Sequence, residues 1–129
     1  MTIKTPAFDF APIEATDLGS DEMFQAINNT THRFFQHVIL WGLEQFEVGR
    51  LAGKHDRRFF EQPKLEAVCF AMLKDESEDL HRLMIEINPD TNKYFGDQLF
   101  GEALRDLLDA EAITYDPETR GVATLVPVN

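Results

Sequence analysis

The chain has 129 residues, with 12 Lys and Arg against 23 Asp and Glu and a formal net charge of −11. That length suits one domain, 1–129, with a core of its own, and 43% hydrophobic against 27% charged residues excludes a disordered composition. The acidic field disfavours nucleic acid and membrane surfaces and favours a protein partner with a basic surface; a single cysteine excludes an internal disulfide and suits a cytoplasmic setting.

Residues 1–19 read as an N-terminal arm, with Phe8 and Phe10 alternating about Asp9 before Pro12 and Gly19. No signal-like apolar run opens the chain, and no window approaches the ~18 apolar residues of a membrane span. The overlapping Asn-x-Thr sequons at Asn28 and Asn29 then read as chance matches. Residues 20–62 comprise a long helix and a basic connection. Ser20 is a suitable N-cap, Asp21 and Glu22 suit the first turn, and Phe24 and Ile27 begin an apolar stripe. "NNTT" at 28–31 is poor helix material, so a break is expected there. From 31 to 52 the stripe resumes at helical spacing, and Phe34, Val38, Ile39 and Phe46 are its candidate buried residues. Gly53 is the expected stop.

Residues 63–129 hold three more predicted helices and a hairpin. Pro63 opens the first, at 65–74, with Leu65, Val68, Phe70 and Met72 as its apolar positions. Asp75 with Glu78 resembles a capping box for the second, at 76–87, which buries Leu80, Leu83, Met84 and Ile87. A turn-rich connection at 88–97 leads to the third, at 98–110, with Leu99, Phe100, Ala103, Leu104, Leu107 and Leu108 inside. "AITY" and "VATLVPV" flank "DPETRG", a polar turn between β-branched arms. The fold class is mainly α (α+β), a helical domain ending in a C-terminal β-hairpin.

The segment "LRDLLDAEAI" resembles the "LRxLxxxGLI" ending of bacterial winged helix-turn-helix regulators, with Leu104, Leu107 and Ile113 on its apolar positions. Glu111 stands where that pattern has glycine, and the 88–97 connection is longer than a helix-turn-helix turn. The resemblance implies a winged-helix-like fold over residues 65–128. Its reading helix has the wrong sign for DNA: residues 75–111 carry eleven acids against Arg82, Lys93 and Arg105.

These acids define the candidate partner-binding residues: Asp75, Glu76, Glu78 and Asp79 before the second predicted helix, and Glu102, Asp106 and Asp109 in a row on the last. An alternative basic patch, Arg50, Lys54, Arg57, Arg58 and Lys64, has only Asp56 and Glu61 against it. Metal sites are not expected. Glu78 and His81 form one Glu-x-x-His, whereas di-iron bundles need two such motifs, and the four histidines lack zinc-type spacing. No catalytic or cofactor-binding signature is found. The resulting expectation is a non-catalytic, cofactor-free inhibitor or adaptor that docks on a basic nucleic-acid-binding surface. Small acidic phage and mobile-element proteins that mimic DNA are similar in size and charge. The alternative is a winged-helix transcription regulator that dimerises through the long helix and applies the 50–64 patch to DNA; a small enzyme ranks third.

Overall fold

The structure is a computed structural model that describes residues 21–85, 87–88 and 93–124, with backbone alone at 21–26, 79–80, 83, 87–88, 93–95 and 97. The arm, Ser20, and the end of the last predicted strand lie outside these residues. Helix α1 (Asp21–Leu51) is followed by a short strand β1 (Phe60–Glu61) and helices α2 (Gln62–Glu76) and α3 (Glu78–Ile85). A two-residue ladder, β2 (Ile87–Asn88) with β3 (Lys93–Tyr94), precedes α4 (Phe95–Asp109) and the terminal hairpin β4 (Ile113–Asp116) and β5 (Gly121–Thr124). The expected helical domain with a C-terminal hairpin is therefore present.

The hairpin gains a third strand. β1 pairs antiparallel with β5, Phe60 opposite Val122, giving the sheet order β1-β5-β4. Two residues from the basic connection thus cover the outer edge of β5, a pairing that no local sequence signal marks. Gly121 makes it possible, because a Cβ there would run into Phe59.

The helix α1 is the spine. Phe34, Phe35, Val38, Ile39 and Leu43 are buried, and α1 packs on α4, α2 and β5. Phe46 is half-buried rather than buried. The expected break at "NNTT" is absent: α1 is continuous from Asp21 to Leu51. Thr30 and Thr31 are inside the protein, at 5% and 0% exposure, so tertiary packing overrides their weak helix propensity. Burial leaves the Thr31 Oγ1 without a hydrogen-bond partner. Phe35 is a ring hub, in contact with Phe34, Phe70 and Phe100.

The α2–α3 boundary falls two residues later than the capping-box reading placed it. Asp75 and Glu76 belong to α2, and Ser77 is its extended C-cap, whose N–H donates to the Leu73 carbonyl. On α2 the buried positions are Leu65, Cys69 and Leu73, one stripe four residues apart; Val68, Phe70 and Met72 are half-buried flanks. Met84 of α3 is buried, as are Leu99, Phe100, Ala103, Leu104 and Leu107 of α4, in one cluster with the α1 and α2 residues.

Two helices end with the same closure. Gly53 takes φ +79°, with Gly53 N–H donating to the Arg50 carbonyl and Lys54 N–H to the Gly49 carbonyl. Glu111 takes φ +59°, with Glu111 N–H on the Leu108 carbonyl and Ala112 N–H on the Leu107 carbonyl. Both are Schellman closures, which need a left-handed residue just past the helix. Position 111, where the regulator pattern has glycine, is thus a position whose backbone favours glycine.

Candidate acidic interface and its surroundings

Helix α4 is divided by burial. Leu99, Ala103 and Leu107 face the core, whereas Glu102, Asp106 and Asp109 are exposed on one shoulder, with steps of four and three residues that keep them in a row. Asp106 is not a bare surface charge. His32 Nε2 of α1 lies 2.9 Å from its Oδ2, and the Asp106 side chain stays 55% exposed. The row therefore runs beside the α1–α4 seam.

This row sits at the wrong end of its helix for stability. The last turn of α4 contains no basic residue, and Asp106, Asp109 and the following Glu111 lie where the helix dipole is negative. Asp75, Glu76 and Glu78 are different. All three are exposed; Glu78 opens α3, where the dipole favours a carboxylate, whereas Asp75 and Glu76 end α2, where Lys74 in the same last turn offsets them. The side chain of Asp79 is outside the described residues. The two acidic sets occupy different elements, and no hydrogen bond or ion pair among the described residues joins them.

The basic patch is more neutral in three dimensions than in sequence. Arg50 Nε donates to both Glu47 carboxylate oxygens, at 3.0 and 3.1 Å, and its Nη2 also reaches Oε1. The Arg50 guanidinium holds the Glu47 carboxyl below its ordinary value, and Glu47 raises that of Arg50. Glu61 is shared between Arg57 at 3.8 Å and Lys64 at 3.7 Å. Glu47 lies outside the 50–64 window, so a count over that window leaves its charge out. Lys54 and Arg58 are exposed and make no ion pair among the described residues.

His55 fastens the basic connection back onto α1. Its Nδ1 accepts the Arg57 N–H at 3.2 Å, so the proton of the neutral ring is on Nε2, which donates to the Phe46 carbonyl at 3.0 Å. The ring also lies against Phe46, with centroids 4.3 Å apart. His81 stands edge-on to Phe70. Among the described residues, no three His, Cys, Asp or Glu side chains converge in a way that could hold a metal. Cys69 is fully buried, and burial pushes its thiol well above the ordinary value, so little reactive thiolate forms at neutral pH. Among the described residues no helix is long and apolar enough to cross a membrane.

No protein-family description, characterised protein or solved structure matches the chain.

Proposed function

We propose that the chain is a non-catalytic acidic binding module, an inhibitor or adaptor whose α4 row docks on a basic protein surface of the kind that holds nucleic acid. The observation that supports this reading is the placement of Glu102, Asp106 and Asp109. They share an exposed shoulder of one helix, and two of them stand against the helix dipole with no cation in the last turn. Stability alone favours basic residues at those positions. A row of carboxylates can meet a row of Arg or Lys as a strand of phosphates would, and in a molecule of net charge −11 it steers association with basic surfaces. The DNA-binding alternative loses support because Glu47 and Glu61 engage three of the five cations it would use.

The test is a double reversal, Glu102→Lys with Asp109→Lys, that spares Asp106 because it holds His32. The wild-type and variant chains are immobilised and challenged with cell lysate at low and high salt, and each is run against random duplex DNA in a gel shift. A nucleic-acid-binding protein held by the wild type, released by salt and absent from the variant supports the reading. The variant itself should be no less stable, since Asp109→Lys relieves an unfavourable dipole contact worth about 0.3–1 kcal/mol and Glu102 is an exposed mid-helix position. Capture that survives both salt and reversal, or a salt-sensitive DNA shift by the wild type, would overturn it.

A further inference from the structure

Behind the basic connection lies a groove that the acidic row does not use. It has a volume of about 480 Å³ and runs between the second half of α1 and the face of α2 that carries Val68 and Met72. Its size is in the range of clefts that hold small molecules, roughly 300–1,000 Å³. Trp41 and Phe46 line it from α1, and Phe60 of β1 stacks edge-on to Phe46, whose ring also lies against His55. Lys54 is the only charged side chain among the described residues that line it.

Three features define the occupant. The first is its size and its boundary: about 480 Å³ is small for a partner helix and suits a short apolar body, and beside Lys54 the α1 closure turns the chain back, with Lys54 N–H bonding the Gly49 carbonyl and His55 fastened to Phe46. The second is the sign of that end. Lys54 is there, and α2 begins there with no side-chain cap and no acid in its first turn. Glu61, at the cap position, points its carboxylate at Arg57 and Lys64 instead. The third is the α1 floor. Gly42 and Gly49 are helix-interior glycines, among the least favourable residues for a helix. A Cβ at either would make only ordinary contacts, 3.6 Å from Leu65 Cδ1 and 3.5 Å from His55 Nε2. Internal packing does not demand glycine at either position, but side chains there would narrow the groove.

We propose that this groove binds a small amphipathic carboxylate, its apolar body between Trp41, Phe46, Val68 and Met72 and its carboxylate beside Lys54. The site is independent of the α4 row. Trp41 is the only tryptophan, so its emission reports occupancy directly. The full chain is titrated with dodecanoate below its micelle concentration, by Trp41 fluorescence and by calorimetry, with dodecyltrimethylammonium as the cationic control. Saturable one-to-one binding of dodecanoate, with the ammonium analogue much weaker, is expected. Lys54→Gln should weaken binding on the order of threefold to fivefold, as for a solvent-exposed charge pair. Gly42→Leu should abolish binding while the variant keeps its helix content and cooperative melting. No saturable binding, equal binding of the two head groups, or unchanged binding by Gly42→Leu would overturn the proposal. So would a concentration-dependent dimer that Gly42→Leu abolishes and dodecanoate does not disturb, because a second copy would then fill the groove.

Discussion

Glu111 carries a side chain in a backbone conformation that costs an L-residue roughly 1–2 kcal/mol relative to glycine. The Schellman closure of α4 imposes that conformation through the Ala112 N–H on the Leu107 carbonyl at 3.0 Å. Glu111→Gly should therefore stabilise the chain by about 1 kcal/mol in urea denaturation, and removal of a negative charge from the C-terminal end of α4 acts in the same direction. A loss of stability would show that the Glu111 side chain has a compensating contact. At the same scale, Asp106 shows how a residue can be placed correctly and its surroundings missed. Its exposure and its row with Glu102 and Asp109 follow from helix geometry, but its bond to His32 spans 74 positions of sequence.

The elements were legible where a periodic pattern was long and punctuated. The α1 stripe, Pro63 at the start of α2, Gly53 past the end of α1 and the turn before Gly121 all appear in the structure. The short pieces were not legible. β1 has two residues and exists only because β5 is beside it, and β2 and β3 pair over two residues each. α1 also shows the strength of burial against propensity, since "NNTT" becomes helix once Thr30 and Thr31 enter the core. If α1 is the spine, Phe34→Ala should cost about 3–5 kcal/mol by chemical denaturation. A cost under about 1 kcal/mol would mean that Phe34 does not pack tightly against its neighbours.

For the whole molecule, charge is the dominant property. A net charge of −11 on a chain of this size repels itself in the folded state. Raising salt from about 0.01 to 0.15 M shortens the screening length from about 30 to 8 Å. The melting temperature should rise over that interval and then level off. A melting temperature that falls over the interval would mean that the attractive pairs, His32–Asp106, Arg50–Glu47 and the two on Glu61, outweigh the repulsion. Under the proposed function the same screening should slow association with a basic partner, so salt is expected to stabilise the chain and to weaken that contact.

Local chemistry was enough to determine the helical character of the chain, its hairpin, its acidic sign, the inner faces of α1 and α4 and the outward row on α4. Each depends on residues within a few positions of one another, where backbone period and turn geometry act alone. Contacts between residues far apart in sequence required the folded chain: the third strand, the burial of Thr31, the bond between His32 and Asp106, and the groove between α1 and α2. Glu47 lies between these cases, only three residues from Arg50 yet beyond the window that made the patch look basic. Periodicity reports which face of an element turns inward; only packing determines what that face meets.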